Sequence, residues 1–320
     1  MKNEILYALL LGFLLDCILG DPQGFPHPVI AIGKLISFLE KSLRKLLPQN
    51  KGGETAAGAI LWILTVTVSF LVPFAILYCA GLVSYWLRLA CQSIFCWQIL
   101  AAKSLKTESM KVYTALKTGT IEDARRAVSM IVGRDTQQLD ADAVTRAAVE
   151  TVAENCSDGV IAPMLFFALG GGPLAFAYKA VNTMDSMLGY VEMPYKNIGC
   201  VPAKMDDVFN FLPARISGIA MLLAGWLLGL NVSNGWKIFK RDRYNHASPN
   251  SAQTESVCAG LLGLRLAGDA CYHGVLHKKP YIGDALRPIC AEDIPLSCKL
   301  MYATAALMLL VCAACRLALF

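Results

Sequence analysis

The sequence predicts an all-α, polytopic helical membrane protein, and three observations carry that prediction. Of its 320 residues, 56% are hydrophobic and only 17% are charged, against about 25% charged in ordinary soluble domains, and the mean hydropathy is +0.49. The apolar residues gather into runs near the roughly 20 residues that a helix needs to cross hydrocarbon. The polar segments between those runs are rich in Ala, Glu and Arg and carry helix-start signals of their own.

The first run, residues 5–20, follows Lys2 as a signal peptide would. Asp16 interrupts it and no small-residue cleavage site follows, so it reads as an uncleaved first membrane segment. The run at 56–102 is too long for one crossing. It reads as two crossings, or as one crossing and an interfacial helix. The run at 159–181 holds GGGP (Gly170 to Pro173). Consecutive glycines break a helix, which predicts two half-helices or a re-entrant hairpin covered by protein. Runs at 212–231 and 300–319 complete the set. With no repeat, low-complexity tract or soluble boundary, residues 1–320 read as one membrane-embedded domain.

Among the polar segments, 103–158 reads as helical, with Thr120 as N-cap and Glu122 and Asp123 in the first turn. Two crossings in 56–102 and a hairpin at GGGP would put loops 20–55, 103–158 and 182–211 on one side of the membrane. That side is expected to be the cytoplasm, with the protein in the cell (inner) membrane.

A net charge of +5 with few basic clusters argues against nucleic acid as a partner; the lipid bilayer is the partner instead. KIFKRDR (Lys237 to Arg243) reads as a juxtamembrane anchor. Most of the 12 cysteines sit in apolar runs, where Cys serves as a small hydrophobe. The lone CAAC at 312–315 and the HGVLH pair (His273, His277) lack the further ligands that a metal site needs.

Four polar groups border the apolar runs. GDPQGFPHPVIAIG (Gly20 to Gly33) presents Asp21 and His27 from a stiff loop, as a turn or as acid–base residues. Asp142, Arg146, Glu150 and Glu154 recur every four residues, the first three reading as an exposed salt-bridged stripe. Glu154, Asn155 and Asp158 then crowd the point where the chain turns apolar, where carboxylates are costly unless they bind something. YKAVNTMDSMLGY sets Asn182 and Asp185 on one helix face beside Thr183 and Ser186, and DDVFNFLPAR repeats the device with Asp206, Asp207 and Asn210 before Arg215. Carboxylate and amide oxygens suit Mg²⁺, which is commonly held by one or two carboxylates together with substrate phosphates. In HASPNSAQTE, Ser248 is a candidate N-cap ahead of Pro249, and the helix start is a candidate anion site. No Walker loop, G-x-G-x-x-G or G-x-S-x-G is present.

In order, GDPQGFPHPVIAIG, GRDTQQLD, VAENCSDGVIAP, YKAVNTMDSMLGY, DDVFNFLPAR and SPNSAQTE make the chain resemble the adenosylcobinamide-phosphate synthase family of cobalamin-biosynthesis membrane proteins, from about Leu14 to Gly283. The resemblance implies ATP-dependent amide ligation of adenosylcobyric acid with (R)-1-amino-2-propanol or its O-phosphate, giving adenosylcobinamide phosphate in the second case. It implies later cobalamin-pathway enzymes as partners. Fitted to that reaction, Asp158, Asp185, Asp206 and Asp207, helped by Asn155 and Asn210, are expected to hold Mg²⁺. Arg134, Arg215, Ser248, Asn250 and Asn182 are expected at phosphate or substrate, and His27, Asp21 and Glu154 as acid–base residues. Two other classes fit the same clusters. A Mg²⁺-dependent prenyl- or phospho-transferase would need a long apolar groove and no ATP, and a membrane sensor or transporter would need no chemistry.

Overall fold

In the computed structural model, which describes residues 3–22, 24, 26–190, 193–272 and 274–319, twelve helices follow one another. They are α1 (Glu4–Leu19), α2 (Pro28–Leu46), α3 (Lys51–Val83), α4 (Tyr85–Ile99), α5 (Ala102–Thr118), α6 (Ile121–Ser129), α7 (Ala141–Asn155), α8 (Ala162–Leu188), α9 (Cys200–Leu227), α10 (Val232–Asp242), α11 (Ser251–Leu262) and α12 (Asp293–Leu319). A π-helical turn (Cys156–Ile161) joins α7 to α8. Four short strands lie between α11 and α12: β1 (Leu266–Ala267), β2 (Ala270–Tyr272), β3 (Val275–His277) and β4 (Tyr281–Ile282). Among the described residues, four helical runs are long and apolar enough to cross a membrane: Lys51–Val83, Ala141–Leu188, Cys200–Leu227 and Asp293–Ala318. The protein is therefore an all-α polytopic membrane protein, as the sequence predicts. Along α3, Ile63, Val68, Leu71, Phe74, Ile76 and Leu82 are exposed, a surface that lipid rather than water would wet.

The chain divides into two interleaved compact units. The first comprises residues 1–101, 163–210 and 311–320. In it, Arg88 Nε lies 3.0 Å from Glu4 Oε1, Cys96 Sγ donates to Leu9 O, and Trp97 Nε1 donates to Gly20 O at 2.8 Å. Contacts that advance together along both helices mean that α1 and α4 run parallel. Helix α3 must run back between their ends, so residues 20 and 99 lie at the same end of this packing. The break at Ser84, which caps α4 through its hydroxyl, thus divides the long 56–102 run into two helices of opposite direction. At 15 residues, α4 extends about 22 Å.

Helix α8 is broken inside. Gly170 (φ −137°, ψ 16°) and Gly171 (φ 66°, ψ −160°) leave helical geometry. Gly171 occupies a region that only glycine enters readily, and a Cβ there would run into the Gln92 side chain. The break reverses the chain. Phe166 and Tyr178 stack with centroids 4.8 Å apart, whereas an unbroken helix would separate them by about 18 Å. The hairpin tip is tied by Gln92, whose Oε1 accepts from Gly172 N–H at 3.2 Å, and by Arg316 donating to Ala168 O. The returning limb follows α4: Gly172 meets Gln92, Phe176 meets Phe95, and Lys179 joins Gln98–Ala101 around a cavity. Asn182 and Asp185 are thereby carried to the residue-20 end. Of the two half-helices or re-entrant hairpin that GGGP suggests, the chain forms two helical limbs folded back on each other as a hairpin.

The second unit comprises residues 102–162 and 211–310. Helix α6 begins at a capping box: Thr120 Oγ accepts from Asp123 N–H at 3.2 Å, and Asp123 Oδ2 accepts from Thr120 N–H at 3.0 Å. The two exchanged bonds satisfy donors that the helix start leaves open. Strands β1 and β4 pair antiparallel, as do β2 and β3. This ribbon departs from a purely helical expectation; strands of two or three residues are too short to show a period of two. Its β2–β3 turn is tied to the Arg134 loop, since Gly274 N–H donates to Asp135 Oδ2 at 2.7 Å and Asp135 N–H to Cys271 O at 2.9 Å.

Two outcomes follow. Gly171→Ala should destabilise the detergent-solubilised protein by about 2 kcal/mol or more, read as a lower unfolding midpoint; an unchanged midpoint would mean the hairpin tip tolerates a side chain. Residues 44–58 and 194–198 lie together, since Arg44 donates to Pro194 O and Asn197 to Glu54. Single cysteines at Gln49 and Lys196, in a cysteine-free background, should therefore react with an impermeant thiol reagent from the same side of the membrane.

Candidate functional site

In the first unit, the GDPQGFPHP loop becomes a helix start. His27 is the N-cap of α2: its Nδ1 accepts from Val29 N–H at 3.3 Å. With Nδ1 accepting, the neutral ring carries its proton on Nε2, which lies 3.4 Å from Asp21 Oδ1. The ring as held has no free lone pair, so a general-base role for His27 would need this pairing to open. Asp21 and His27 line a cavity of about 430 Å³ with Trp97, Gln98 and Lys179. Gln23 and Phe25 lie outside the described residues.

Asn182, Asp185, Asp206, Asp207 and Asn210 also belong to this unit. Asp206 is buried beside Asp185, Asp207, Asn210 and Asn182, and its Oδ1 has no hydrogen-bond partner. Asn210 is fully buried; its Oδ1 accepts from Tyr178 Oη–H at 2.8 Å and its Nδ2 is left without a partner. The Thr183 and Ser186 hydroxyls donate back to Lys179 O and Asn182 O, so they serve the helix. Among the described residues no three His, Cys, Asp or Glu side chains are grouped closely enough to hold a metal ion by themselves. The orphaned Asp206 oxygen next to Asp185 nevertheless fits a Mg²⁺ ion, whose remaining positions water and phosphate commonly fill.

The remaining expected residues fall in the second unit. There, α7, α11, the loop before α7 and the β1–β4 ribbon enclose a cavity of about 150 Å³. Arg134, Glu150, Glu154, His246, Glu255 and Lys279 line it. Arg134 forms an ion pair with Glu150, and Glu150 Oε1 accepts from Ala267 N–H at 2.6 Å. The exposed Asp142–Arg146–Glu150 stripe is thus corrected: Glu150 is 6% exposed and answered by Arg134. Helix α7 turns Glu150 inward because Ala147, Ala148, Thr151 and Val152 around it are buried too. Ala267 takes a left-handed φ of 58°, a conformation costing an L-residue about 1 kcal/mol or more. Its N–H reaches Glu150 in that conformation.

One turn on, Glu154 Oε1 accepts from Ser251 Oγ–H at 2.8 Å. The Asn155 amide donates to Thr151 O within the helix, and Asp158 sits half-buried on the π-helical turn, a local geometry that recurs at functional sites. Helix α11 begins at Ser251 with Asn250 as N-cap, so the N-cap expectation at Ser248 is corrected by two residues. Ser248 Oγ instead accepts from Asn250 N–H at 3.3 Å. Asn250 Oδ1 accepts from Arg215 at 3.2 Å, and the Arg215 guanidinium lies 3.5 Å over the Phe211 ring. Arg215, Ser248 and Asn250 thus brace the start of α11. His277 packs edge-on to Tyr272, and His273 lies outside the described residues.

Burial, then the charges of Glu154 and Glu150, push the Glu255 carboxyl well above the usual carboxylate range. Burial works against the charge of Arg134, but the Glu150 carboxylate outweighs it and holds the guanidinium above its ordinary value. Burial lowers His246, against the pull of Glu154. The cavity therefore pairs Arg134 with Glu150 and disfavours the charged forms of both His246 and Glu255. Sequence reasoning takes Glu150 for a surface residue and does not single out His246, Glu255 or Lys279. Glu255 ends the SPNSAQTE motif, and its place in the middle of a wholly buried helix is the signal that only the fold supplies.

A family model for the CobD/Cbib protein matches residues 9–301. The chain is 46% identical over 306 residues to the cobalamin biosynthesis protein CobD of Clostridium tetani, covering 96% of each. It is 44% identical over 314 residues to cobalamin biosynthesis protein CobD of Photorhabdus laumondii, covering 98% of each. It is also 44% identical over 315 residues to cobalamin biosynthesis protein CbiB of Salmonella typhimurium, covering 97% of this chain and 98% of that one. No solved structure matches it.

Removing one partner of a buried ion pair leaves an uncompensated charge. Arg134→Leu should therefore destabilise the protein by about 3 kcal/mol, while Arg134→Leu combined with Glu150→Leu should recover most of that loss. Denaturant titration in detergent measures both; equal losses in the single and double variants would show that the pair is not the source.

Proposed function

The chain belongs to the CobD/Cbib protein family, and from that premise we propose that it acts in cobalamin biosynthesis, joining adenosylcobyric acid to (R)-1-amino-2-propanol or its O-phosphate through an amide at the expense of ATP. The observation that carries this reading is the match over residues 9–301, which takes in both units. On this proposal the protein sits in the cell membrane, with the reacting groups facing the cytoplasm, where ATP is.

A carboxylate does not accept an amine unaided, because its oxygen is a poor leaving group. Transfer of the ATP γ-phosphoryl to the carboxylate gives an acyl phosphate and ADP; attack by the amine then gives the amide and releases phosphate. Positioning and electrostatics dominate such phosphoryl transfers. Asp206 and Asp185 are the residues to hold Mg²⁺, which when bound neutralises phosphate charge. Asn182 is placed beside them to orient an incoming group, and Lys179 and His27 line the neighbouring cavity. Glu154, held by Ser251, offers a carboxylate to a cationic substrate.

Purified protein in detergent, supplied with ATP, Mg²⁺, adenosylcobyric acid and either amine, should yield a corrinoid heavier by the amine less one water, with one ADP formed per amide. Mass spectrometry with a coupled ADP assay reads both. No amide with either amine would overturn the ligase reading.

A further inference from the structure

We infer that the cavity between α7, α11 and the β1–β4 ribbon takes the amine substrate, a small primary ammonium ion carrying an anionic group. Glu154 and Glu255 would hold the nitrogen and Lys279 the anionic end. The inference rests on the ligase reading for the substrate's identity and on the cavity for its chemistry.

One buried oxygen of the cavity lacks a donor. Arg134 is already engaged by Glu150. Lys279 Nζ donates to Tyr272 Oη at 2.7 Å and lies 4.7 Å over the same ring, so it faces the cavity from the ribbon. Against it stand Glu154 and Glu255. Glu255 is 5% exposed, and its Oε2 has no hydrogen-bond partner. A buried polar oxygen left unmatched costs about 1–3 kcal/mol, and a bound ammonium would supply the donor. Burial and the two neighbouring glutamates favour the neutral form of Glu255, against the charges of Arg134 and Lys279.

Size narrows the ligand. A cavity of about 150 Å³ is well below the roughly 300–1,000 Å³ of sites that enclose drug-sized molecules. It is too small to enclose a whole corrinoid or nucleotide and suits a ligand of a few heavy atoms. An ammonium with a nearby phosphate would meet carboxylates on the α7–α11 side and Lys279 on the ribbon side.

The chemistry also balances. An ammonium entering beside Glu255 displaces that residue's proton to solvent and pairs with the carboxylate. Return of one proton from nitrogen to the Glu255 carboxylate leaves a neutral amine with its lone pair free. Attack on the acyl phosphate forms the C–N bond and breaks the C–O bond to phosphate, and the second nitrogen proton leaves with the phosphate.

Calorimetry on the detergent-solubilised full chain, without ATP or corrinoid, tests the assignment with three probes: (R)-1-amino-2-propanol O-phosphate, (R)-1-amino-2-propanol, and 1,2-propanediol phosphate, which lacks the nitrogen. The aminated phosphate should bind at least about tenfold tighter than the deaminated one, because a site built for a polar group rejects the analogue lacking it. Glu255→Gln should erase that preference, and Lys279→Met should erase the preference for the phosphorylated over the plain amine. Equal binding of the aminated and deaminated phosphates, no binding of either, or an intact preference in Glu255→Gln would overturn the assignment. The probe comparison uses the unaltered protein, so it stands even if a variant fails to fold. Loss of ligation with the amine preference intact would defeat the ligase reading alone; ligation without that preference would defeat the cavity assignment alone.

Discussion

The ion pair between Arg134 and Glu150 joins three parts of the chain that sequence keeps far apart. Arg134 lies on the loop before α7, Glu150 on α7, and Ala267, whose N–H completes the pairing, on β1. A carboxylate taken from water must be answered by charge and hydrogen bonds, and Glu150 is answered on both oxygens. That requirement fixes the ribbon against α7, holds Ala267 in a left-handed conformation, and leaves a polar cavity beside it. Glu255, one helix away, keeps one oxygen, Oε2, without a hydrogen-bond partner, and the contrast between the two glutamates gives the cavity its character.

In the first unit the governing constraint is different. An apolar segment that enters from one end and carries polar groups at its far end has either to cross the membrane or to turn back. Gly170 and Gly171 make the turn possible, Gln92 satisfies the Gly172 N–H exposed there, and Arg316 reaches the carbonyl of Ala168. Irregular backbone at such depth is tolerated only where protein covers it, and these two side chains provide the cover. The hairpin then brings Asn182 and Asp185 back beside Asp206, so a break in a helix determines where a candidate Mg²⁺ site forms.

Much of the fold was legible in the sequence because its signals are local. Apolar runs, the capping box at Thr120, and the helix-breaking glycines each act within a few residues. The pairing of α1 with α4 was not legible, since Gly12 against Cys96 is a matter of tertiary packing. The site was legible in part. Clusters near membrane segments drew attention to Glu154, Asp185 and Asp206. Spacing by four, however, could not tell an exposed stripe from a buried one, and it assigned Glu150 to the wrong arginine neighbour. Glu255 and Lys279 escaped notice because one lies in a helix without polar periodicity and the other on a ribbon of very short strands.

Taken with the family relationship, these features support the proposal of a membrane ligase whose small amine substrate has its own pocket. The direct test of that account is a structure of the protein with (R)-1-amino-2-propanol O-phosphate bound. The account predicts the ligand between Glu154, Glu255 and Lys279, with its nitrogen within hydrogen-bond reach of Glu255. Ligand found instead in the cavity lined by Asp21, His27 and Lys179, with the Glu255 pocket empty, would contradict it.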